Sequence, residues 1–202
     1  MPARAVFSIQ ALHEPVDVGS NFTLSEIARL AEQTGWTGNH IPLGFSIART
    51  GYALNLTVDA IAEAVCVEPV QVAVSIKLMD RHIEIAKDLA GDPACVPLAR
   101  HHYILQAASN DAVLTQFMEE LNSVLSQLTL PNLQHDVARA DEDRERIDQV
   151  VRAAIDRVWP SLSVAMRAAA AGVDSPDEIA GLVHACLPAN GTTRNSQMGT
   201  KL

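Results

Sequence analysis

The chain has 202 residues, 48% of them hydrophobic and only 4% aromatic, with a formal net charge of −9. That composition excludes a disordered chain and is long enough to bury a substantial aliphatic core. The acidic balance disfavours a polyanionic partner such as DNA, because no Lys/Arg run supplies a local basic face.

Residues 4–12 fit a short strand or an extended arm. Thr23-Leu24-Ser25-Glu26 is a capping box that opens a helix over about 23–34, with Ile27, Leu30 and Ala31 as its apolar stripe. Residues 36–56, punctuated by Gly38, Pro42, Gly44 and Gly51, carry no clear period. From Thr57 a short helix is expected. Over 57–78, Ile61, Ala62, Val65, Val67 and Val72 fall at helix-turn-helix positions. The recognition helix of that motif would offer Gln71, Ser75 and Lys77 to DNA. Val70, Val72, Val74 and Ile76 also alternate as a strand does, but Val72, Ile76, Met79, Ile83, Ala86 and Ala90 keep helical spacing. Helix is the expectation for this stretch.

A helix starting at Asp92-Pro93 or Pro97 is expected to run to about Ala108. It then meets a second at a polar corner, Ser109-Asn110-Asp111. The second, 110–128, has the clearest apolar face: Val113, Leu114, Phe117, Leu121, Val124, Leu125 and Leu128. Residues 141–158 form another amphipathic helix that Pro160 is expected to kink or break. Ser175-Pro176-Asp177-Glu178 starts a last helix to about Cys186. The fold class that follows is mainly α: a bundle of six to eight helices over 57–188, behind an irregular 1–56 region with one or two short strands. Residues 189–202 form a polar tail expected to be disordered.

No stretch approaches the roughly 18–20 apolar residues that span a bilayer, and the N-terminus lacks a signal pattern, so a cytoplasmic protein is expected. Cys66, Cys95 and Cys186 form no CxxC and are expected to be buried, reduced thiols. On the same reasoning the Asn-x-Thr triplets at Asn21, Asn55 and Asn190 are chance matches.

Chemistry-bearing patterns are sparse. There is no P-loop, dinucleotide fingerprint or nucleophile elbow, and no cofactor is implied. Of the seven histidines only His13 has a partner at helical spacing, Asp17, in a stretch broken by Pro15; no metal site is expected. Glu119-Glu120 and Asp141–Asp143 fit solvated helix faces. His101 and His102 are adjacent, so a helix points them about 100° apart and at most one faces the interior. His101, His102 and Asn110 are the candidate ligand-binding residues.

His101, the run Ala107-Ala108-Ser109-Asn110, and Leu114, Phe117 and Leu121 resemble part of the FCD effector domain of GntR-type bacterial transcription regulators. Ala165-Met166-Arg167 is similar to the end of that family's last helix pair. Pro97 stands where the family carries a metal-binding Asp, and Arg144 and Ala169 fall near its later metal-binding histidines. The resemblance implies a helical ligand-binding bundle without the metal, with His101 as a pocket residue. The leading expectation is thus a ligand-binding or regulatory protein, a homodimer with a small-molecule ligand and a role in transcription. The alternatives are a non-catalytic assembly protein, or a small helical enzyme using His101 or His102 as acid or base.

Overall fold

The computed structural model describes residues 5–33, 42–57, 70–131 and 140–186. The fold is α/β and not a mainly helical bundle: a sheet of four strands is covered by long helices. In chain order the elements are β1 (Ala5–His13), β2 (Asp17–Gly19), α1 (Leu24–Gln33), β3 (Gly44–Thr57), β4 (Val70–Ile85), a short 3-10 turn (Lys87–Leu89), α2 (Cys95–Ser126), α3 (Ala140–Val173) and α4 (Pro176–Cys186).

β4 is the spine. β1 runs parallel to its first half (Ala5 opposite Val70, His13 opposite Leu78), and β2 runs parallel to its second half (Asp17 opposite His82). β3 pairs antiparallel along nearly its whole length, from Gly44 opposite Ile85 to Thr57 opposite Gln71. Strands from residues 5–57 and 70–85 therefore share one sheet across the boundary expected near residue 56. Residues 58–69, which hold most of the helix-turn-helix spacing, lie outside the described residues, as does the tail from 187 onward.

The helical expectation for 69–90 fails because the strand's alternation changes phase. Val70, Val72, Val74, Ile76 and Leu78 are buried, and after them Ile83 and Ile85. The change falls at Asp80, a non-glycine residue with φ of 50°. Opposite it, β3 has only Ala48 between its pairs at Ile47 and Arg49, whereas β4 has Asp80 and Arg81 between His82 and Met79. One extra residue bulges β4 and swaps which side chains face inward. Both halves of β4 thereby present their apolar side chains to the same helix, α2. Glu14 holds the bulge closed: its amide donates to Leu78 O (3.0 Å), its carboxylate accepts from the Asp80 amide (2.7 Å) and its carbonyl accepts from Arg81 (3.1 Å).

The expected corner at Ser109-Asn110-Asp111 is also absent, because α2 runs unbroken through it for 32 residues. Ser109 Oγ donates to Gln106 O at 2.7 Å and Thr115 Oγ1 to Asp111 O at 3.0 Å, so the polar residues are absorbed along the helix. Asp92 starts α2 by accepting from the amides of Ala94 and Cys95. Pro97 sits in the first turn, where a proline is tolerated. α3 likewise continues through Pro160. The capping boxes hold: Thr23 N donates to Glu26 Oε2 at 2.7 Å, and Ser175 accepts from the Glu178 amide.

The core has two parts. Leu114, Phe117, Leu121 and Leu125 of α2 meet the first half of β4 and Ile147, Val151, Ile155 and Leu162 of α3. Each such side chain contributes about 1.5–3 kcal/mol by leaving water. In the second part, Ile83 and Ile85 meet Ile27, Leu43, Cys95, Ala99, Tyr103, Ala107, Leu182 and Cys186. There the expectation of reduced thiols fails for two cysteines. Cys95 and Cys186 form a disulfide, with Cα atoms 4.8 Å apart across 91 residues of sequence. Sequence spacing hid this pair, because the start of α2 and the end of α4 converge only in three dimensions. Asp143, expected on a solvated face, is 5% exposed.

Candidate functional site

Beside the second core lies a cavity of about 520 Å³. Ile27, Leu30 and Ala31 of α1 form one wall, and Leu43, Phe45 and Ile47 at the start of β3 another. Ile179, Leu182 and Val183 of α4 close it. The lining is mostly apolar, and its size is that of a small-molecule site.

The polar end comes from α2 and the residue between α3 and α4. His102 is 2% exposed, and its Nε2 lies 2.9 Å from Asp174 Oδ1. Gln106, one turn along α2, donates to the same oxygen at 2.6 Å. A carboxylate oxygen can only accept, so Nε2 carries a proton toward Asp174, and in the Nε2–H tautomer Nδ1 is an acceptor. Among the described residues His102 Nδ1 is the one buried side-chain N or O atom without a hydrogen-bond partner. Such an atom costs stability unless something donates to it. Among the described residues no Lys or Arg lines the cavity. The described polar side chains at this end are those of His102, Gln106 and Asp174.

Tyr103, beside His102, is buried against the same wall. Burial pushes its phenol well above the ordinary range, although the backbone of Gly44 and Leu43 hydrogen-bonds it. Gly44 permits this approach: a Cβ there would stand 2.7 Å from Tyr103 Cε2 and against the Glu84 carbonyl.

Of the residues singled out in the sequence, only His102 reaches the cavity. His101 is exposed on α2, and Asn110 is half-buried two turns further along without lining the cavity. Gln71, Ser75 and Lys77 sit on β4, where they alternate with its buried side chains, and Ser75 accepts from Gln10 of β1 at 2.8 Å. There is no recognition helix at these positions. The DNA contacts and transcription role expected of them are left without support, and the all-helical bundle implied by the FCD resemblance is overturned by the sheet. His13 and Asp17 do not pair: His13 Nδ1 lies 2.9 Å from Asp111, and Asp17 lies 3.3 Å from His82 Nδ1.

Sequence reasoning missed Asp174, Gln106 and Tyr103. Gln106 follows His102 by four residues, the helical spacing that brings two side chains to one point. Asp174 carried no such signal, since 72 residues separate it from His102.

A second polar cluster lies on β4, beside the start of β3. Glu84, 1% exposed, accepts from the Asn21 amide (2.9 Å), from Asn21 Nδ2 (2.6 Å) and from His82 Nε2 (2.8 Å). It fixes the β2–α1 connection. Among the described residues no three His, Cys, Asp or Glu side chains converge as a metal site, and no helix is long and apolar enough to cross a membrane.

Comparison with family models, with curated proteins and with solved structures finds no match.

Proposed function

We propose that this protein binds a small, mainly apolar, uncharged molecule whose single hydrogen-bond donor, a hydroxyl or N–H, meets His102 Nδ1. The observations that carry this reading are a mostly apolar cavity with His102, Gln106 and Asp174 at one end, and a His102 Nδ1 that is buried without a partner. An anionic ligand fits poorly, because its carboxylate would lie near Asp174, and among the described lining residues no Lys or Arg offsets the repulsion. The test is a matched panel: decanol against decanoate, and naphthol against naphthoate, followed by thermal shift and calorimetry. The neutral members are expected to bind more tightly by about tenfold or more, since burying an unpaired charge costs several kcal/mol. Equal or tighter binding of the carboxylates contradicts the reading.

A second reading makes His102 the base of a small enzyme, and the carboxylate behind its imidazole favours it. Recovery of bound ligands unchanged after long incubation removes this alternative. Turnover abolished by His102→Ala, with unchanged stability, supports it.

The Cys95–Cys186 bond supports a compartment oxidising enough to keep it, at odds with the cytoplasm expected from the missing signal pattern. Thiol alkylation of protein taken directly from its cells distinguishes the two. The homodimer belongs to the same proposal; exposed Val6 and Leu12 on β1 support it, and sedimentation velocity tests it.

A further inference from the structure

We infer that the Cys95–Cys186 disulfide is a redox latch on the cavity, and that its reduction releases α4 and weakens binding at the His102 end. The inference rests on the binding role proposed above, while its structural half can be tested without any ligand.

α4 is a lightly anchored wall of the cavity. It has 11 residues, of which only Leu182 and Cys186 are buried. A helix of that length is marginal by itself and relies on tertiary attachment. Its attachments sit at its two ends. Just before its first turn, Asp174 holds His102 of α2. At its last residue, Cys186 is bonded to Cys95, the first residue of α2. Between these pins lie the three cavity-lining residues, Ile179, Leu182 and Val183. Cutting the second pin leaves the wall held through Leu182 and the Asp174 turn.

The chemistry needs a dithiol reductant. Its thiolate attacks one sulfur of the pair, forming a mixed disulfide and expelling the other cysteine as a thiolate. The reductant's second thiol then displaces the remaining cysteine. The two cysteines gain two electrons and two protons, and the reductant leaves as a disulfide. Both cysteines are buried, so attack requires α4 to lift first. A ligand that holds α4 down must therefore slow reduction, because coupling between ligand and latch is reciprocal.

The test is amide hydrogen exchange of the full chain, oxidised and after dithiothreitol, paired with naphthol titration of both forms. On reduction, protection over 176–186 is expected to fall about tenfold further than over 147–162 of α3. Naphthol affinity is expected to drop about tenfold as the wall loosens, and naphthol is expected to slow reduction of the oxidised form. An equal fall in protection across α3 and α4, or none in α4, overturns the latch whatever binds. Loosened α4 with unchanged naphthol affinity overturns its coupling to the cavity. No naphthol binding to the oxidised protein overturns the binding role instead, and α4 protection still decides the latch.

Discussion

Arg81 donates to Asp111 Oδ2 at 2.8 Å, tying the bulge of β4 to the middle of α2. The same guanidinium reaches the carbonyls of Glu14 and Ala107, so a single buried side chain fastens β1, β4 and the helix that covers them. Asp111→Ala leaves that guanidinium without its carboxylate. We predict a loss of about 2 kcal/mol, below the cost of breaking a fully buried pair because Asp111 is partly exposed. Urea midpoints of Arg81→Ala, Asp111→Ala and the double variant check this, with a coupling energy of at least about 1 kcal/mol expected.

Glu84 makes stability depend on acid. Burial by itself raises its carboxyl, but donation from His82 and Asn21 outweighs this and holds it below its ordinary 4.5. The folded state thus favours the charged form. The stabilisation is complete above the unfolded value and is lost as pH falls through the folded one. Glu84→Gln is predicted to be less stable than the parent at neutral pH, with the gap in urea midpoint closing as pH falls below 4.5. A gap that stays constant with pH contradicts this account.

Gly44 is predicted to be intolerant of a side chain. Gly44→Ala sets a methyl against Tyr103 and the Glu84 carbonyl and is expected to cost about 1–3 kcal/mol. Gly91→Ala, where a Cβ meets nothing within 4 Å, serves as the near-neutral control. Thermal denaturation of both variants decides.

What the sequence made legible was local. The Thr23–Glu26 box, the apolar face of Leu114 to Leu125 and the Ser175 start are signals within a few residues, and each appears as expected. What was lost depends on distant partners. The bulge at Asp80 puts four residues between buried Leu78 and Ile83, breaking a period of two into spacings that mimic a helix. Ser109, Asn110 and Asp111 resemble a corner until Arg81 supplies the partner that Asp111 needs. In the site, the pair of histidines marked the correct turn of α2, but choosing His102 over His101 required Asp174, which comes from the other end of the fold.

Asp174→Ala separates structure from binding. It leaves His102 Nε2–H buried without its acceptor, and a loss of about 1–3 kcal/mol is predicted. His102→Phe removes the orphaned nitrogen and leaves Asp174 with Gln106 as its donor. It is expected to retain more stability than Asp174→Ala yet to bind naphthol less tightly than the parent, because the acceptor for its hydroxyl is gone. Calorimetric titration of the folded variants checks both statements.

Long-range proton–nitrogen correlation spectra of the imidazole of His102 test the central claim most directly. The account predicts Nε2 protonated and Nδ1 bare in the free protein, with the Nδ1 resonance moving upfield as naphthol is added. A proton on Nδ1, or an Nδ1 resonance that stays fixed while naphthol binds, would contradict it.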